Sequence, residues 1–333
     1  MLPSSLAEDL SRAAEPVIAK VLAHGGARTG KPRGEVSAVR TMTLDGFDEI
    51  ATAWSPIIKA HGYRIDLRSV FCHSSPQVKF EPIPHPNFLL GKSPRQCELA
   101  DLLIVIDHVD RSKNVDDRRA VLVQAKMLKG GAVKPTGQEW VQHELLAWLP
   151  TFKFVDGAYD TRVRELGRTP SIGFPQQTRE YGGLDLTSSP PQWRHELTQT
   201  IAPWFHSPIS LAAYLGAMAT GQPLCGRQAV RGGADDWSFT VDELLRVTGA
   251  RPITKRFGVA RGNDNVVSFI SDTFPAYSSS SIAEPAYGAS VGSPGGNGGG
   301  DEDFLDATTP AWPEGPISTV HLTIGSIDDG RQE

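Results

Sequence analysis

The run from Cys97 to Met127, CELADLLIVIDHVDRSKNVDDRRAVLVQAKM, holds residues whose types and order suit metal-assisted hydrolysis of a phosphodiester. Asp101 opens an apolar stretch, a polar turn follows, and a second apolar stretch carries Gln124 and Lys126 near its end. Residues i and i+2 of a strand share a face, so Gln124 and Lys126 point one way and Ala125 the other. If the two stretches pair antiparallel, Asp101 comes beside the end of the second, and the three polar side chains converge at the sheet's edge. A carboxylate there can hold Mg²⁺ or Mn²⁺, which neutralises a phosphate oxygen and acidifies a bound water. A neighbouring lysine can orient or deprotonate that water, or offset the charge that develops on the phosphoryl group. Glu98, three residues ahead of Asp101, supplies a further carboxylate, either as a ligand or as a turn residue.

With these residues the chain resembles the PD-(D/E)xK nuclease superfamily, in the D…QxK form found in Mrr-type restriction enzymes. The resemblance spans residues 35–150. It implies that Asp101 matches the first metal ligand, Gln124 the second ligand position and Lys126 the catalytic lysine. It further implies that Glu35 is the acidic residue many members carry on their first helix, giving Asp101, Gln124, Glu98 and Glu35 as the metal set. Gln142 resembles the glutamine of a RecB-like QxxxY signature, with Leu146 where the tyrosine would stand. Two departures are plain: Ala100, not proline, precedes Asp101, and Gln124 would bind a hard cation through a neutral carbonyl rather than a carboxylate. The fold implied is α/β, a restriction-endonuclease-like core with a mixed central sheet flanked by helices. The activity implied is Mg²⁺- or Mn²⁺-dependent cleavage of nucleic acid, DNA favoured over RNA, as in restriction or phage defence.

QxK alone recurs by chance, so the argument rests on the elements around it. Residues 43–59 show helical spacing, with Leu44, Phe47, Ile50, Ala51, Trp54 and Ile57 or Ile58 near one face and acids near the amino end. YRIDLRSVF (63–71) and PQVKF (76–80) alternate as strands, while 81–95 holds four prolines and reads as a loop. LADLLIVIDHV (99–109) and AVLVQAKM (120–127) read as buried strands joined by a turn, RSKNVDDRR, and 137–149 as a helix ending at Pro150. Beyond 156 the pattern predicts helices over 194–202, 208–220 and 235–249, and strands at 266–272 and 317–325. The organisation expected is a core over 1–155, an accessory helical or mixed region over 156–276 packed on that core as a mainly helical extension, a Ser/Gly-rich linker over 277–303, and an acidic tail over 304–333. The tail's terminal strand either docks back onto the domain or awaits a partner.

Composition narrows the alternatives. The 333 residues carry a net charge of −5, but residues 28–134 hold 17 basic and 12 acidic residues, whereas 277–333 hold 1 and 9. A mildly cationic middle suits a modest phosphate-binding surface. Three cysteines without CxxC spacing, and histidines without an HExxH pattern, argue against a disulfide framework or a zinc site. GGARTGKPRGE (25–35) lacks the GxxxxGK[ST] phosphate loop, because Pro32 follows Lys31, and reads as a flexible basic loop. No GxSxG occurs to make a nucleophile of a serine, and His73 beside Ser74 does not make a triad. The amino-terminal residues read as a short helix of a cytoplasmic protein, and no apolar run reaches membrane-spanning length. Three classes stay open: a metal-dependent nuclease, a nuclease-fold subunit that binds nucleic acid or assembles without cutting, and an unrelated α/β enzyme. A protein partner or a second copy of the chain is compatible with each.

Overall fold

The computed structural model describes residues 1–73, 76–82, 95–129, 131–133, 135–136, 139–148, 150–166, 179–196, 208–249, 258–261, 264–267, 269–270 and 316–327. The expected linker at 277–303, and the tail apart from its terminal strand, lie outside the described residues. Helices α1 (Ala7–His24), α2 (Glu35–Thr41) and α3 (Phe47–Ala60) come first, with a π-helical turn at Met42–Gly46 joining the last two. Strands β1 (Tyr63–Cys72), β2 (Gln77–Phe80), β3 (Arg95–Glu98), β4 (Leu102–Val109) and β5 (Val115–Met127) follow, then α4 (Glu139–Trp148). Next come β6 (Phe152–Phe154), β7 (Arg179–Asp185), β8 (Gln192–Glu196), β9 (Pro208–Ser210), α5 (Leu211–Ala219), β10 (Arg227–Gln228) and α6 (Asp236–Gly249). Two short strands, β11 (Gly258–Arg261) and β12 (Asp264–Val267), pair with each other, and β13 (Phe269–Ile270) and β14 (Thr319–Ser326) complete the set.

The principal sheet runs β13-β1-β14-β4-β5-β7-β8-β9, with β10 also on β5. It is mixed: β4 and β5 are antiparallel, whereas β14 lies parallel to β4 and β7 parallel to β5. A parallel neighbour requires a crossover, and α4 lies within the one between β5 and β7. The molecule is thus α/β, a mixed central sheet flanked by helices.

Burial on both faces explains the unbroken apolar runs in β4 and β5. Leu102, Ile104, Val121, Val123 and Ala125 pack with Leu10, Ile18, Phe47 and Trp54 of α1 and α3 and with Leu215 of α5. The indole of Trp54 ties two of these helices, donating to Leu10 O at 2.8 Å. On the other face, Leu103, Val105, Ala120 and Leu122 pack with Trp237 and Leu244 of α6, Leu145 of α4, and Val78, Phe80, Phe152 and Phe154 of a three-stranded sheet, β3-β2-β6.

Several expectations are corrected. The turn between β4 and β5 is shorter than RSKNVDDRR, because β5 already begins at Val115 and carries Asp116–Arg119 as strand. These charges sit in the sheet because partners await them, Arg118 facing Asp107 across the hairpin. The region after 156 carries the helices expected near 208–220 and 235–249, as α5 and α6, but it is not mainly helical. β7, β8 and β9 extend the principal sheet, and the stretch expected as helix from 194 is strand through Glu196, with Trp193 and His195 buried on alternate positions. Finally, β14 enters the middle of the sheet, pairing antiparallel with β1 and parallel with β4. Among the described residues, no helix is long and apolar enough to cross a membrane.

Candidate active site

The antiparallel register between β4 and β5 brings Asp101 to the end of β5. Leu102 faces Val123, and Asp101 N donates to Val123 O at 3.0 Å. The Asp101 carboxylate turns along the strand, accepting from Ala125 N at 2.7 Å and from the side-chain amide of Gln124. Gln124 and Lys126 follow Ala120 and Leu122 on one face of β5, as period-2 geometry requires. They converge at strand ends in the middle of the sheet rather than at its edge, because β7 and β14 flank the hairpin.

Lys126 is only 6% exposed, and its ammonium reaches over the end of β5 to Glu35, the first residue of α2, donating to Oε1 at 2.7 Å. Glu139 of α4 approaches the same nitrogen, with Oε1 at 4.0 Å. Three elements distant in sequence thus aim charge at one point. Burial pushes the Glu35 carboxyl up to about 7; the Lys126 charge opposes this and the Asp101 charge adds to it. Burial likewise raises Asp101, against the pull of Lys126 and the Ala125 amide. Burial works against the Lys126 ammonium, yet Asp101 and Glu35 outweigh it and hold the proton more tightly than on a free lysine. A buried cation between carboxylates with raised proton affinity is a pattern found where charge is poised for a task.

Two further residues border this group. Tyr181 of β7 stands opposite Gln124 in the parallel register, and its hydroxyl lies 2.7 Å from Nδ1 of His143 on α4. Glu139 and His143 are four apart and so share a helix face, a signal present in GQEWVQHELL but carrying nothing until the helix is placed over β5. Gln142 lies on α4 and is partly buried. Glu98 ends β3 in the smaller sheet, opposite Gln77, and its charge is felt by the buried Cys72 thiol. The structure therefore brings together Glu35, Asp101, Gln124 and Lys126, adds Glu139, and sets Glu98 on a different sheet.

Among the described residues, no three His, Cys, Asp or Glu side chains form a metal-binding group. The donors at the hairpin end are two carboxylates and an amide. Mg²⁺ usually takes one or two carboxylates and completes its shell with water and phosphate oxygens, so this set fits Mg²⁺ and not an all-protein cage. The chain matches no protein-family model, no curated protein and no solved structure.

Proposed function

We propose that the protein is a metal-dependent nuclease that hydrolyses phosphodiester bonds, with DNA the favoured substrate and restriction or phage defence the setting. The observation that carries this reading is the Lys126 ammonium held by Glu35 of α2, with Asp101 turned toward the same end of the β4–β5 hairpin. The order of elements supports it: helix with acid, antiparallel hairpin with Asp and QxK, helix, then a strand parallel to the second hairpin strand. A restriction-endonuclease-like core has these elements in this order; here β6 comes between α4 and β7, and β14 separates β1 from β4 in the sheet.

Asp101 and Glu35 would hold a divalent cation, with the Gln124 amide oxygen as a neutral third donor. The cation, when bound, supplies charge neutralisation at a phosphate oxygen and a more acidic water. The raised proton affinity of both carboxylates is relieved by positive charge, so the residues gain from a cation as well as from Lys126. Without a cation, the charges of Asp101 and Glu35 hold the proton on Lys126. Its ammonium would stabilise negative charge on the phosphoryl group and orient water.

The test is to incubate the protein with single- and double-stranded DNA and RNA, with Mg²⁺, Mn²⁺ or chelator, beside Lys126→Met. Metal-dependent cleavage that falls at least about a hundredfold in the variant is expected, the loss typical of removing one transition-state donor. Binding without cleavage under every metal condition would favour the non-cutting subunit. Neither binding nor cleavage would leave the unrelated α/β enzyme.

A further inference from the structure

Between α1 and α2 the chain runs through GGARTGKPRG, residues 25–34, and the fold fastens this loop at both ends. The buried Asp45 carboxylate accepts from Arg28 N at 3.0 Å and from Thr29 Oγ1 at 2.6 Å, while Gly26 N donates to Thr29 O at 3.0 Å. Gly25 has φ of +83°, and a Cβ there would lie 2.4 Å from the Gly30 carbonyl carbon, so the loop closes on itself where only glycine fits. At the far end, Ser37 Oγ accepts from Arg33 N at 2.9 Å and Gly34 N at 3.1 Å. The basic residues separate into two kinds. Arg28 turns inward, with Nη2 donating to Asp48 at 3.0 Å. Lys31 and Arg33 are exposed, and among the described residues neither joins an ion pair.

Two outward cations on a fastened backbone lose less freedom on binding than they would on a loose loop. The second of them is two residues from Glu35, whose carboxylate holds Lys126. A ligand carrying regularly spaced negative charges past the hairpin end would meet both. A nucleic-acid backbone is such a ligand, and phosphate contacts are the ones that set its path and register.

We infer that loop 25–34 is a backbone grip: Lys31 and Arg33 each pair with a phosphate and lead the strand past Glu35 and Asp101. This rests on the nuclease reading and adds where the substrate lies. Arg28 and Asp45 belong to the loop's anchorage and make no substrate contact.

Fluorescence anisotropy of a labelled DNA duplex, with the full chain in chelator so that no cleavage occurs, reads this directly across a salt series. The variant Lys31→Ala/Arg33→Ala removes two exposed cations. The control Arg111→Ala/Lys113→Ala removes two at the turn between β4 and β5, the opposite end of the hairpin. Each phosphate contact contributes about 0.9 to the slope of log K against log salt, so the loop variant should flatten it by about 1.8. The control should leave it unchanged. With Mg²⁺ present, the loop variant should raise KM while kcat persists. An unchanged slope in the loop variant, or equal changes in both variants, overturns the grip while cleavage by the parent upholds the nuclease reading. A parent that neither binds nor cleaves overturns both, and one that binds an acidic protein but no nucleic acid reassigns the loop to that partner.

Discussion

The two ends of one hairpin treat their carboxylates in opposite ways. On the face shared by Leu103, Val105, Ala120 and Leu122, Asp101 with Gln124 and Lys126 stands at one end and Asp107 with Arg118 at the other. At the second end Arg118 clasps Asp107 through two bonds, at 2.6 and 2.8 Å, His321 of β14 lies 3.0 Å away, and Arg118 also reaches Asp242 of α6 at 2.6 Å. Burial alone would raise Asp107, but the bonds from Arg118 and His321 outweigh it and bring its carboxyl down to about 2. At the first end burial prevails and both acids are raised. One end is a satisfied lock that joins β4, β5, β14 and α6. The other retains charge that its surroundings do not fully stabilise. The difference lies in the cation's fork. A guanidinium satisfies both carboxylate oxygens at once, and a single ammonium shared among acids does not.

The comparison breaks most sharply under substitution. Asp107→Ala leaves the buried Arg118 with Asp242 as its remaining acidic partner, so a loss of about 3 kcal/mol in unfolding free energy is expected, the lower end for a broken buried pair. Lys126→Met leaves Glu35, which can take up a proton near neutrality, and a change within about 1.5 kcal/mol is expected at pH 6. Urea denaturation of the two variants beside the parent measures both. Equal losses would mean that the two ends are equally structural.

The pH dependence should also run in opposite directions. The fold binds a proton at Glu35 more tightly than the unfolded chain does. Its contribution to stability is therefore full below about pH 4.5 and declines as pH rises through about 7. Asp107 does the reverse: its contribution is full above its ordinary value near 3.8 and is lost as pH falls toward 2. Denaturation in chelator from pH 2 to 8 should show both flanks, with Glu35→Gln reducing the upper one, to which the raised Asp101 also contributes, and sparing the lower. An upper flank that persists undiminished in Glu35→Gln would assign it to another group.

The smallest effect concerns Gln124. Its side-chain amide donates to Asp101, and Gln124→Glu replaces that donor by a second anion beside the first. Cleavage should then half-saturate at several-fold lower Mg²⁺, because hard cations prefer the added charge, while Gln124→Leu should require more. Stability without metal should fall modestly in Gln124→Glu, as two adjacent acids repel. Identical Mg²⁺ titrations of the three proteins would remove Gln124 from the ligand set.

What could be read from the sequence follows from the range over which each signal acts. Period-2 alternation placed Gln124 and Lys126 on one face, and the apolar runs predicted β4 and β5, because both are local. The same alternation extends to Arg118, yet the run of charges around it reads as a turn until its partner in α6 is known. Glu35 could be named only through the family resemblance, since nothing near it specifies a contact with a strand 91 residues later. Glu139 carried no signal apart from its helix. In β8, Trp193 and His195 alternate with Arg194 as a strand would, but the segment is short and its neighbours are polar, so helix was expected there. Lys126 is buried where it meets α2, because its ion pair with Glu35 substitutes for water.

The placement of β14 has a consequence for how the chain is made. β1 and β4 are both complete by Val109, but the strand that separates them ends at Ser326. At about 5–20 residues per second, synthesis of the intervening 217 residues takes roughly 10–40 s. Throughout that interval the facing edges of β1 and β4 lack their common neighbour, and direct pairing between them would be a misfold. A nascent chain is then in most danger at its centre, not at its growing end. Ser318, which bonds to the backbone of Cys72 and whose carbonyl accepts from Leu103 N, is the first point at which the late strand joins both edges. Because β4 leads directly from Asp101, the end of the hairpin that carries Asp101, Gln124 and Lys126 acquires its final support only when this strand arrives.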